Sequence, residues 1–158
     1  MKKNILFLCT GNSCRSIMAE GLMRHYGADK FNVFSAGSNP IGKINQDALT
    51  TLEDKSIRVG GFYSKSWNEI DEHNIDIVIT VCDNAAGESC PAFLGKSIKA
   101  HWGVCDPSEF EGSKEDRMRE FKRICEIIEG RINNLLKLDI DDYSDSELQS
   151  KLQDIAKI

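Results

Sequence analysis

Apolar residues are spaced along this chain in two alternating rhythms. Ile5-Leu6-Phe7-Leu8 is a continuous apolar run, which predicts a strand over residues 3–9 buried on both faces, as in a parallel sheet. Ile17, Met18, Gly21, Leu22 and Tyr26 then recur at helical spacing, with Gly27 as the stop. Phe31 to Ala36 reads as a second strand, and Gly37-Ser38-Asn39-Pro40-Ile41-Gly42 as a loop. Ala48, Leu49 and Leu52 give one face to a helix from Gln46 to Lys55, and Trp67 to Asp71 reads as a short helix. Ile75 to Val81 is the clearest strand, and it ends directly in Cys82. Residues 82–95 are small and polar with little periodicity and read as a loop; Ser97 to Trp102 gives a last strand. A long helix starts at Ser113, with Met118, Phe121, Cys125, Ile128, Ile132 and Leu135 as its apolar face. Ser144-x-x-Glu147 is a capping box opening a final helix that carries Leu148, Leu152 and Ile155. Strands alternating with helices predict an α/β sandwich on a parallel sheet. In such sheets ligands bind beyond the carboxyl ends of the strands, where Cys9, Cys82 and Asp106 are all expected.

A chain of 158 residues with 41% hydrophobic and 28% charged residues suits one globular domain. We read residues 1–138 as its body and 139–158 as an acidic segment whose terminal helix packs on it. A net charge of −5 disfavours nucleic acid or an anionic membrane as the main partner. The N-terminus has neither a signal-peptide core nor a run long enough to span a bilayer, so a cytoplasmic monomer is expected. The six cysteines are too dispersed for a disulfide scaffold, and no Cys-x-x-Cys supports structural zinc, so no metal is expected. In a reducing compartment they point to catalysis or redox exchange.

One stretch concentrates the chemistry: Cys9-Thr10-Gly11-Asn12-Ser13-Cys14-Arg15-Ser16, between a strand and a helix start. Unpaired N–H groups at a helix N-terminus form an anion cradle. Gly11 and Asn12 tolerate left-handed backbone, and Arg15 adds a planar fork of donors for a tetrahedral oxyanion. The same field is expected to ionise Cys9, the nucleophile. A cysteine at a strand end is otherwise only a small buried hydrophobe, but the consistent set from Cys9 to Ser16 favours function. Neither Gly-x-x-x-x-Gly-Lys-Ser/Thr nor Gly-x-Gly-x-x-Gly is present.

Cys9-x5-Arg15-Ser16 with Asp106-Pro107 resembles the low-molecular-weight protein tyrosine phosphatase fold. Thr-Val-Cys82-Asp-Asn-Ala-Ala-Gly-Glu-Ser-Cys90-Pro and Ala-His101-Trp102-Gly are similar to that fold's arsenate reductases. The resemblance implies a three-layer sandwich with a four-stranded parallel sheet flanked by helices. It also implies a thiol relay. Cys9 would attack arsenate held by Thr10, Gly11, Asn12, Ser13, Cys14, Arg15 and Ser16, with phosphate and sulfate as competitors. Asp106 would protonate the departing oxygen, Cys82 would attack Cys9, and Cys90 would attack Cys82. No bound cofactor is implied; an external thiol reductant, thioredoxin or glutathione with glutaredoxin, would close the cycle. Some relatives hold potassium behind the loop, and Asn12, Glu20 and Ser35 match that pattern. Where a carboxylate would complete it stands Ser64-Lys65-Ser66, and Lys65 reads either as a solvated loop lysine or as a substitute charge. Cys105, beside Asp106, reads as inert or as an adventitious oxidation site, and Cys125 as core. Two other readings compete with reduction. One is phosphomonoester hydrolysis, weakened because Asp106-Pro107 leads to Ser108-Glu109 rather than to tyrosines. The other is non-catalytic oxyanion or redox sensing.

Overall fold

The computed structural model of the protein describes residues 2–70, 73–87 and 94–158. Its four strands are β1 (Lys3–Leu8), β2 (Phe31–Ala36), β3 (Ile77–Thr80) and β4 (Ile98–His101). They form one sheet in the order β2-β1-β3-β4, every pair parallel. Ile5, Leu6, Phe7 and Leu8 are all buried; because successive side chains point to opposite faces, both faces of the sheet are covered. The third and fourth strands are a little shorter than their apolar runs, the flanking residues bonding to the sheet outside its regular ladder.

The helices are α1 (Arg15–Gly27), α2 (Gln46–Asp54), α3 (Asp83–Gly87), α4 (Lys114–Leu136) and α5 (Asp145–Ile155). The starts at Ser113 and Ser144 work as side-chain caps, and Asn45 caps α2 in the same way: each accepts the N–H three residues on. The expected short helix at Trp67 is a 3-10 turn over Trp67–Ile70. The first half of α1 is buried all round, while Tyr26, read as part of an apolar face, is exposed and donates to Glu129. One expectation needs correcting. Residues 82–95 are not all loop, because α3 winds directly after Cys82. The small and polar residues after Cys82 show no helical period, and the first turn is capped by a sulfur rather than an oxygen, since Ala85 N–H donates to Cys82 Sγ at 3.4 Å.

The sheet order places a switch point between β1 and β3, whose following connections leave toward opposite edges. Leu8 pairs with Thr80, and Val81 N–H donates to the Leu8 carbonyl at 2.9 Å. That register sets Cys9 and Cys82 beside each other just beyond the sheet. At the far edge, α5 lies along β4. Gln149 donates to the Lys99 carbonyl, while Gln153 both accepts from the His101 N–H and donates to its carbonyl. Four residues of helix rise about 6 Å and two of strand about 6.6 Å, so the two glutamines match the strand's outward groups. Trp102 Nε1–H and Arg131 then take carbonyls of the last turn of α5, Leu152 and Ala156.

Leu152 is fully buried where α5 meets this edge. Leu152→Ala should lower stability by about 2–5 kcal/mol, read as a lower urea midpoint with unchanged slope. A midpoint within error of the parent would show that α5 is not part of the cooperative unit.

Candidate active site

The turn from β1 into α1 builds the cradle by facing its carbonyls outward. The carbonyls of Thr10, Gly11 and Ser13 accept N–H groups from Asn39, Ile41 and Asn45, each at 3.0 Å, in the neighbouring loop. A trans peptide sets N–H opposite C=O, so the N–H groups of Gly11, Asn12 and Cys14 face inward. Of the two residues expected to take left-handed backbone only Asn12 does, at φ 44°. Gly11 is needed for space instead, since a Cβ there would lie 2.9 Å from Ile41 Cδ1. Asn12 is locked by its side chain. Its Nδ2 donates to Ser16 Oγ at 2.9 Å and Ser35 Oγ at 3.0 Å, and its Oδ1 accepts Lys65 N–H at 2.9 Å.

Arg15 lies across the mouth. Nη1 donates to the Val104 carbonyl at 3.0 Å, and Nη2 is 3.5 Å from Asp106 Oδ2. Nε is buried without a protein acceptor, a state that costs about 1–3 kcal/mol unless a ligand supplies one. An oxyanion in the cradle would supply it. Asp106 is aimed by its own turn: Oδ1 accepts from Ser108 N–H at 2.9 Å and Ser108 Oγ–H at 2.6 Å, leaving Oδ2 toward Arg15.

Cys9 and Cys82 are hydrogen-bonded to each other, both buried. The expected ionisation of Cys9 by the loop is opposed by its surroundings. Its pKa is pushed up, first by the hydrogen bond to Cys82 and then by burial; Arg15 and the Gly11 N–H pull the other way but lose. The charge sits on the partner. Cys82 is lowered to about 5, chiefly by the hydrogen bond from Cys9, with further donors in Ala85 N–H and in Thr10 N–H at 3.4 Å, against the cost of burial. The two shifts run in the direction of one proton shared between the sulfurs, with the negative charge favoured on Cys82. Cys14 is pushed up by burial and by the Asp106 carboxylate, so it brings the cradle an N–H and a neutral thiol.

Behind the loop, Asn12, Ser35 and Glu20 do come together, Ser35 Oγ donating to Glu20. Lys65, which the sequence allows as a solvated lysine, is buried at 7% exposure. Its main chain is tied inward through Asn12 and through Gly37 N–H on its carbonyl at 2.9 Å. Its Nζ donates to the Tyr63 carbonyl at 3.0 Å and stands 4.0 Å from Glu20 Oε1. Burial lowers the Lys65 pKa while Glu20 raises it. Arg24 pairs with the same carboxylate. A glutamate already faced by two cationic side chains does not fit a further cation, so these residues do not match a potassium site.

The structure therefore brings together Cys9, Arg15, Cys82, Asp106 and the whole of Thr10 to Ser16. Cys90 lies outside the described residues. Cys125 is core, its thiol pushed up to about 12 by burial, and Cys105 is exposed. Sequence reasoning missed the Val104 carbonyl that aims Arg15, and it used His101 only as part of a motif. No side-chain signal marks a carbonyl; a histidine at a strand end was the available cue for the other.

With this loop, acid and fold, the chain belongs to the low molecular weight phosphotyrosine protein phosphatase family, whose pattern matches residues 4–153. Within that family its relatives include the arsenate reductase of Shouchella clausii, 40% identical over 131 residues that span 83% of this chain and 93% of that protein. A solved arsenate reductase in the phosphate-binding state superposes with a TM-score of 0.68 at 26% identity, covering 85% of this chain and 97% of that one. The thioredoxin-dependent arsenate reductase of Corynebacterium glutamicum superposes with a TM-score of 0.66 at 29% identity, over 86% of this chain and 61% of that one.

The shared proton makes a titration prediction. Thiolate absorbance in the ultraviolet should appear with a midpoint of about 5 and belong to Cys82. Cys9→Ala removes the main cause, so the midpoint should rise toward the ordinary thiol value. Because Cys82 is ionised in the folded chain and protonated in the unfolded one over this range, its contribution to stability is lost as pH falls through the folded value. A midpoint unchanged by Cys9→Ala would break the assignment.

Proposed function

We propose that this protein reduces arsenate to arsenite by successive thiol exchanges at Cys9, Cys82 and Cys90. The observation that carries the reading is a second buried thiol beside the nucleophile: Cys9 and Cys82 leave paired strands side by side, and Cys82 Sγ accepts the N–H of Thr10, the residue after Cys9. Phosphoester hydrolysis needs the cradle, one nucleophile and an acid, but no second thiol in contact with the nucleophile. The named activity of the relatives agrees with it.

The inward N–H groups and Arg15 bind the tetrahedral oxyanion, satisfying Arg15 Nε. Their field favours moving the shared charge from Cys82 to Cys9, whose thiolate attacks arsenic. An As–O bond breaks, Asp106 gives that oxygen a proton and it leaves as water. Cys82 then attacks the Cys9 sulfur. The S–As electron pair stays with arsenic, which leaves as arsenite, and Cys9 and Cys82 are oxidised to a disulfide. Cys90 attacks Cys82 and frees the Cys9 thiolate. An external dithiol takes up the Cys82–Cys90 disulfide; we assign thioredoxin, as in the Corynebacterium glutamicum neighbour, with glutathione and glutaredoxin as the alternative. The reduced thiols required place the reaction in the cytoplasm.

Cys90→Ser should release one arsenite per chain and stall with Cys9 bonded to Cys82, seen by non-reducing peptide mapping after a quenched single turnover. Sustained turnover by that variant with thioredoxin would refute the relay; selective rescue by glutathione and glutaredoxin would reassign the reductant. Arg15→Lys keeps a charge but loses the planar fork, so arsenate reduction should fall by about 10²-fold or more. Phosphate should protect Cys9 from iodoacetamide in the parent, and equal labelling with and without it would count against the cradle.

A further inference from the structure

His101 has no place in the chemistry above, yet its ring brackets the second thiol. Nδ1 is 2.7 Å from the hydroxyl of Thr80, the last residue of β3. Nε2 is 2.8 Å from Oδ1 of Asp83, the first residue of α3. Cys82 lies between those two attachment points, buried, with its sulfur accepting the Ala85 and Thr10 N–H groups. The ring thus joins the strand that delivers Cys82 to the helix that its sulfur caps.

Two independent features hold the ring there. The His101 main chain is gripped on both sides by Gln153 of α5, at 3.0 Å each. Gly103 leaves the space: a Cβ there would lie 2.6 Å from His101 Nε2 and 2.8 Å from Asp83 Oδ1. The contacts also tolerate either charge on the ring. A neutral ring donates from Nε2 to Asp83 and accepts the Thr80 hydroxyl at Nδ1. A protonated ring donates from both nitrogens, and the hydroxyl can turn toward the Ala100 carbonyl at 3.5 Å.

We infer that His101 is a positioning residue for the second thiol: the Thr80–His101–Asp83 staple keeps the first turn of α3 wound, so that the Cys82 sulfur retains its N–H donors and faces Cys9. This rests on the relay reading for its role in turnover, though not for its effect on the sulfur. Without the staple that first turn frays, Ala85 N–H leaves the sulfur and the Cys82 thiolate loses support. The attack on Cys9 then slows, while oxyanion binding by the loop is untouched.

The test uses full-length His101→Ala, His101→Gln and Asp83→Ala. The Asp83 side chain is 93% exposed, and alanine is the better helix former, so Asp83→Ala removes the contact without unfolding the chain. Iodoacetamide labelling of the Cys82 peptide, followed by mass mapping from about pH 5 to 8, gives the thiolate midpoint. Quenched single turnovers give the rate of Cys9–Cys82 disulfide formation. His101→Ala and Asp83→Ala should raise the midpoint by about one unit or more and slow that step about tenfold. Phosphate protection of Cys9 should not change. His101→Gln, which can still donate to Asp83, should stay within about threefold of the parent. An unchanged midpoint and rate in His101→Ala and Asp83→Ala, or a His101→Gln as impaired as His101→Ala, would overturn the staple. If the parent itself links no Cys9 to Cys82, the relay fails, and the labelling midpoints still decide the staple.

Discussion

The parallel pairing of β1 with β3 is the constraint from which the site follows. Two cysteines 73 positions apart in sequence become neighbours because Leu8 and Thr80 are in register and both strands point their carboxyl ends the same way. Ile5 to Leu8 are close-packed on both covered faces, where a shift of one residue would misfit every side chain, so the packing of the core fixes the separation of the sulfurs. The cradle inherits the same precision. Its carbonyls are held outward by a neighbouring loop, and Gly37 approaches so closely that a Cβ there would lie 2.3 Å from the Thr10 carbonyl oxygen.

Electrostatics at this site is local. The protein is acidic overall, but oriented N–H groups and Arg15 act over a few ångströms, inside the screening length of about 8–10 Å. The same locality explains why Arg15 alone does not ionise Cys9. A sulfur touching a second sulfur has a closer claim on its proton, and the second sulfur has more donors. A negative charge that either of two neighbouring sulfurs can take suits the proposed relay, in which each is the nucleophile in turn.

How much could be read beforehand depended on whether an element announces itself in side chains. Ile5–Leu8, the Ser113 and Ser144 caps and the α4 stripe are patterns of side chains, and they folded as patterned. The loop from Cys9 to Ser16 was legible because its chemistry needs particular residue types in fixed order. The start of α3 was not legible, since its small and polar residues show no period and its cap is a sulfur. Lys65 misled because lysine in a polar loop is usually solvated; a buried carboxylate at Glu20, far along the sequence, decides otherwise. The ionisation of Cys9 was argued from the loop alone, and the opposing pull of Cys82, 73 positions away, carried no local signal.

The terminal helix links the edge of the fold to its centre. An edge strand exposes unpaired N–H and C=O groups, and α5 covers those of β4 with two glutamine side chains. One of those glutamines holds the main chain of the residue whose ring reaches Asp83. A helix added at the edge of the sheet is therefore two hydrogen bonds away from the turn that carries the second thiol. Protection of the sheet edge and, in the proposed staple, orientation of the second thiol are served by the same contact, which couples α5 mechanically to the turn after β3.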